Sequence, residues 1–140
     1  ADLNPLSKVA SGGELSRIML AIKTVFADVD QIESLIFDEI DVGISGRTAQ
    51  MVSEKMSILG KNHQIICITH LPQIAAMADT HFVIEKISSA KETETRIRRL
   101  SDEQSTEELA RMLGGVEITQ AVLANAKEMK QLAKNQKQYS

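Results

Sequence analysis

The sequence predicts an α/β fold: a mainly parallel sheet with flanking helices plus a hairpin, in a single domain over residues 1–140. Hydrophobic residues make up 43% of the chain while aromatics are only 3% and Trp is absent, so the core must be built from Leu, Ile, Val, Met and Ala, the mix of helices packed on a sheet. Helical periodicity alternates with short apolar runs that lack polar alternation, as in strands covered on both faces. Two of those runs end in polar residues and lead into a helix, which is the strand–loop–helix repeat of open α/β sheets.

After an irregular start through Pro5, Leu15, Ile18, Ile22, Val25 and Val29 recur at helical spacing, predicting a helix from Ser11 or Gly12 to about Asp28. Residues 34–37 read as a buried strand that stops at Asp38. Ser45 is placed to cap a second helix whose Ala49, Val52, Met56 and Leu59 share one face, with Gly60 and Asn62 as the stop. Gln64 to Thr69 is a second buried strand, ending at His70, and Pro72 sets the first turn of a helix through Ala78. His81–Ile87 and Thr93–Leu100 form a hairpin. Ser105–Leu113 and Val116–Lys134 are helical, separated by Gly114-Gly115, and Lys134–Ser140 is a frayed polar end.

A net charge of −3 and a pI near 5.6 exclude affinity for nucleic acid through bulk electrostatics. Two local basic stretches remain: Arg96, Arg98 and Arg99, and the tail Lys127, Lys130, Lys134 and Lys137. Charges of the first kind blunt an exposed sheet edge, and Lys near a helix end complements its dipole. The single Cys67, in Ile65-Ile66-Cys67-Ile68, reads as a buried reduced thiol. With no export signal, no membrane span and no initiator Met, the chain is expected to be cytoplasmic and cut from something longer.

The chemistry gathers at the strand tips. Ser11-Gly12-Gly13-Glu14 opens a helix, where two glycines let a polyphosphate approach backbone N–H groups and the helix dipole favours its charge, while Ser11 adds a hydroxyl. Asp38, past a buried apolar strand, is suited to Mg²⁺, and Glu39 to orienting or deprotonating a water in line with a γ-phosphorus. His70, at the neighbouring strand tip, is placed to hydrogen-bond that phosphate. Taken singly, each has an ordinary alternative as a cap, a solvated carboxylate or a loop histidine. His63 and His81 carry no role. No G-x-x-x-x-G-K-[ST] occurs, so the cradle for a nucleotide's β- and γ-phosphates must come from elsewhere.

Together these stretches resemble the ABC-type ATPases. Ser11-Gly12-Gly13-Glu14 is similar to their signature motif, Leu35 to Glu39 to their Walker B strand, Asp41-Val42-Gly43-Ile44-Ser45 to the D-loop and His70 to the switch histidine, in the family's order. Glu14 and Ala10 stand where transporters usually place Gln and Leu. This moves the resemblance to the SMC-like branch, and the wording of residues 8–17, 37–46, 68–73 and 110–115 to its bacterial DNA repair members.

The resemblance implies a C-terminal head lobe, nucleoid-associated in the complete protein, whose N-terminal Walker A lobe and coiled coil lie outside these residues. It implies ATP and Mg²⁺ as cofactors, a homodimer of heads sandwiching ATP, and DNA as a partner of the complete protein. By position, Asp38 would hold Mg²⁺, Glu39 activate water and His70 contact the γ-phosphate. Ser11, Gly12, Gly13 and Glu14 would close on the partner's nucleotide, with Asp41, Gly43 and Ser45 at the dimer seam. A transporter ATPase fragment, a non-catalytic interaction module and a magnesium hydrolase using Asp38 and Glu39 without nucleotide are the alternatives.

Overall fold

The computed structural model describes residues 11–26, 29 and 31–139. The chain runs α1 (Gly12–Val25), β1 (Ser34–Phe37), α2 (Gly46–Leu59), β2 (Gln64–Cys67), α3 (Pro72–Ala75), β3 (Phe82–Ser88), β4 (Thr93–Arg99), α4 (Asp102–Gly114) and α5 (Gln120–Tyr139). It is a mixed α/β arrangement with two small sheets. β1 and β2 pair in parallel with Ser34 opposite Gln64 and Phe37 opposite Cys67. The crossover between them is α2, as a parallel pair requires. β3 and β4 form the antiparallel hairpin, with Ile84 opposite Ile97.

Two apolar clusters hold the elements together. Leu20 of α1, Phe37, Ile40, Val52, Met56, Leu59 and Ile74 form one, sealing α1, α2 and α3 against the loop after β1. The other joins Ala75, Ala76 and Met77 to Leu109 and Ala110 of α4 and Ala126 and Ala133 of α5. Small residues let α4 and α5 approach closely, and a Cβ on Gly114 would stand 3.0 Å from the Val122 side chain. Lys130 of α5 donates to the backbone and carboxylate of Asp102, and Lys137 donates to Met77 O and Asp79, so the tail's lysines tie α5 to other elements.

Several sequence expectations are corrected. The parallel pairing is present but involves two strands among the described residues. β1 is not covered on both faces: Phe37 is 3% exposed and Ile36 71%. Similarly, the apolar stripe of α1 has Leu20 buried while Leu15, Ile18, Ile22 and Val25 are exposed, because no described layer lies over them. α3 is a single turn rather than a helix to Ala78, and β2 ends at Cys67 rather than Thr69. Ser45 occupies the N-cap position of α2 without a side-chain cap bond. α4 begins three residues before Ser105, since Ser101 and Gln104 close a capping box. Residues 116–119 precede α5, which starts at Gln120 and continues to Tyr139 instead of fraying from Lys134. Cys67 is half-buried. The irregular start, Ala10 and the expected helix end at Asp28 lie outside the described residues.

Candidate functional site

One loop, residues 38–45, is met by the start of α1 and by the tip of β2. It leaves β1 at Asp38, turns at Glu39, buries Ile40 completely and Asp41 nearly so, and reaches α2 through Gly43 and Ser45. Burying Ile40 in the first apolar cluster pins the loop at its midpoint. Gly43 and Gly46 take φ of +77° and +54°, values at which a side chain would be strained.

Glu39 is the exception to that chemistry, a non-glycine residue at φ +61°. Left-handed backbone raises its energy by about 1–2 kcal/mol, and such conformations persist only where surroundings over-determine them. Here α1 supplies the constraint on both sides. Ser16 Oγ donates to Asp38 O at 2.7 Å, before Glu39, and one Arg17 guanidinium nitrogen donates to Ile40 O at 3.1 Å and Val42 O at 2.7 Å, after it. The loop's own Val42 N–H donates to Glu39 O at 3.1 Å.

The start of α1 abuts the same turn. Ser11 is its N-cap, accepting from Glu14 N at 3.2 Å, which leaves its hydroxyl proton available to another acceptor. Gly12 faces the Glu39 carboxylate so closely that a Cβ would be 2.2 Å from Oε2. Gly13 is buried against the carbonyls of Glu39 and Val42. Glu14 is exposed one turn further on, its N–H taken by the cap.

Asp41 joins the loop to the tip of β2. Its Oδ2 accepts from Thr69 Oγ1 at 2.6 Å and from His70 N at 2.7 Å, and lies 2.8 Å from His70 Nδ1. Burial pushes the Asp41 carboxyl up, but the Thr69 and His70 hydrogen bonds and the His70 charge outweigh it and hold it below its usual value. His70 is therefore oriented through Nδ1, with a side chain 70% exposed. Beside it, burial pushes the Cys67 thiol up to about 12, helped by the charges of Asp41 and Asp38.

Asp38 is an exposed carboxylate at the strand tip, and no cluster of three or more His, Cys, Asp or Glu able to hold a metal occurs among the described residues. That donor set fits Mg²⁺, which takes one or two protein carboxylates and draws its other ligands from phosphate and water. Two of the three arginines of β4 are engaged with acids, Arg98 with Glu85 at 3.0 Å and Arg96 with Glu94 at 3.3 Å. Sequence reasoning missed Ser16, Arg17 and Thr69, and gave His63 and His81 nothing to do; they bind Ile32 O and Ser105 Oγ.

The chain is 51% identical over 131 residues to the DNA repair protein RecN of Halalkalibacterium halodurans, a stretch that is 94% of this chain and 23% of that protein. It is 51% identical over 127 residues to RecN of Bacillus subtilis, covering 91% and 22% respectively. This chain is similar to the C-terminal part of RecN. RecN of Vibrio cholerae is 50% identical over 127 residues, again 91% of this chain and 23% of the relative. The match falls in the C-terminal part of RecN, and the chain spans under a quarter of the length of these relatives. No protein-family model matches it. Among the described residues no helix is long and apolar enough to cross a membrane.

Proposed function

We propose that this segment is the C-terminal ATPase-head lobe of a RecN-type DNA repair protein, in which ATP binding and hydrolysis drive the dimerisation of heads. The observation that carries the reading is the convergence on one loop: the Ser11-Gly12-Gly13 helix start, the Asp38-Glu39 tip and the Asp41–His70 junction all meet residues 38–45. The resemblance of the same residues to the signature motif, Walker B, D-loop and switch histidine of ABC-type ATPases supports it.

Under this reading Asp38 helps hold Mg²⁺, which when bound neutralises charge on the β- and γ-phosphates. Glu39 takes a proton from the attacking water. His70, steadied through Nδ1 by Asp41, offers its other ring nitrogen to the γ-phosphate. Ser11, Gly12 and Gly13 present the amide end of α1 to the nucleotide held by a second head. The Walker A lobe supplies the missing lysine and covers apolar side chains exposed here, such as Leu15, Ile18 and Ile22 of α1 and Ile36 and Ile66 of the parallel pair. DNA is then engaged by the complete protein in the cytoplasm.

The test is steady-state ATPase activity of a full-length protein carrying this segment. Glu39→Gln should lower turnover by about 10²–10⁴-fold, the range of general-base contributions, and should make an ATP-bound dimer accumulate in sedimentation. Turnover that ignores Glu39→Gln would return the segment to a non-catalytic interaction module.

A further inference from the structure

Two side chains of α1, Ser16 and Arg17, grip the backbone on both sides of Glu39, and neither is among the residues given a role by the signature motif, Walker B strand, D-loop or switch histidine. Ser16 Oγ holds Asp38 O at 2.7 Å and Arg17 holds Ile40 O and Val42 O at 3.1 and 2.7 Å. These bonds span 22 to 25 residues of sequence and come from adjacent positions on one helix turn. Both donors are half-buried, and the Arg17 bond to Ile40 O is the most sheltered of the three. Between the gripped carbonyls sits Glu39, in the left-handed conformation that its own side chain does not favour.

We infer that Ser16 and Arg17 are positioning residues for Glu39, linking the start of α1 mechanically to the catalytic turn. The inference rests on the ATPase reading and deepens it. The α1 start and Glu39 already lie together in one chain, a Cβ on Gly12 standing 2.2 Å from the Glu39 Oε2. A shift of α1 on meeting phosphate is passed through Ser16 and Arg17 to the backbone on each side of Glu39. Arg17 serves because one terminal nitrogen of its rigid, planar guanidinium donates to both carbonyls in fixed directions, whereas a Lys ammonium sits on a flexible stem and is less directed. Ser16 serves because a short hydroxyl reaches a carbonyl beside its own helix without leaving the turn.

The experiment measures kcat and KM for ATP, with thermal midpoints, in the full-length protein and its Ser16→Ala, Ser16→Thr, Arg17→Ala, Arg17→Lys and Glu39→Gln variants. Arg17→Ala is expected to lower kcat by about 10- to 100-fold, the scale on which small misplacements of a catalytic group act, with KM within about twofold. Ser16→Ala should do the same more weakly, Ser16→Thr should restore kcat by restoring the hydroxyl, and Arg17→Lys should fall between. Should Arg17→Ala fail to fold, the Ser16→Ala and Ser16→Thr pair decides. Turnover that requires Glu39 but is unchanged in both Ala variants overturns the positioning role alone. So does a loss that Ser16→Thr fails to rescue. Turnover indifferent to Glu39→Gln overturns the ATPase reading and this inference with it.

Discussion

Gly13 lies against the backbone of Glu39 so closely that a Cβ built on it would stand 2.9 Å from the Glu39 carbonyl oxygen and 2.9 Å from that of Val42. Backbone cannot step aside as a side chain can. Gly13→Ala should therefore destabilise the protein by about 1–3 kcal/mol, the usual range for overpacking. At Gly12 the neighbour is instead the far end of the Glu39 side chain, which can rotate away. Gly12→Ala should fold normally. Denaturant unfolding of the two variants checks this, and equal midpoints would contradict the contact geometry.

Asp41 is 3% exposed and holds two donors of the β2 tip on one oxygen. Asp41→Ala leaves Thr69 Oγ1 and His70 N without that acceptor and should cost about 1–3 kcal/mol. Because the folded carboxyl lies below its ordinary 3.8, its contribution is complete above that value and disappears as pH falls through the lower, folded one. The stability gap between wild type and Asp41→Asn should therefore close under strong acid. A gap that stays constant down to about pH 2 would contradict the assignment.

His81 behaves in the opposite chemical sense. Burial holds its pKa below the ordinary 6.5, against the pull of Glu108 and with the help of Lys130, while Nδ1 contacts Ser105 Oγ at 2.7 Å. The neutral ring is thus the folded form. Stability from this contact between the hairpin and α4 is full above 6.5 and lost as pH falls through the depressed folded value. His81→Gln should be less sensitive than wild type when pH drops from about 7 to about 5. Parallel pH profiles would remove His81 from this role.

Where α4 meets α5, Leu109, Ala110 and Ala126 are fully buried. Leu109→Ala should cost about 2–5 kcal/mol through lost burial and the cavity left behind. Ala126→Leu should cost about 1–3 kcal/mol by forcing the helices apart. Thermal unfolding read at the helical signal distinguishes this tight seam from a loose one, which would tolerate the larger residue.

Much of this architecture was legible because local signals and packing agreed. Ala49, Val52, Met56 and Leu59 share one helix face in sequence and are buried together. The hairpin was legible within a residue at each strand. The start of α4 was also written in the chain, as Ser101 with Gln104 three residues on, but the apolar periodicity that drew the boundary to Ser105 begins later. The face of β1 was misread for another reason: an apolar run states that a strand wants cover on both sides, not that the cover is in the same stretch of chain. In the candidate site, residue types pointed to Ser11, Asp38, Glu39 and His70. Ser16 and Arg17 were invisible, since a Ser and an Arg on an amphipathic helix read as its solvent side, and partners more than 20 residues away leave no local trace. Nor does anything about a glutamate announce a left-handed turn.

The single thiol offers a clock. With its pKa pushed up to about 12 by burial, Cys67 is far less ionised at neutral pH than an open thiol, so alkylating reagents react slowly with it while β2 stays paired with β1. An opened strand would return the thiol to water and to its ordinary reactivity. Alkylation rates therefore report how often the parallel pair comes apart, and with one cysteine in these 140 residues the signal from this segment has a single source.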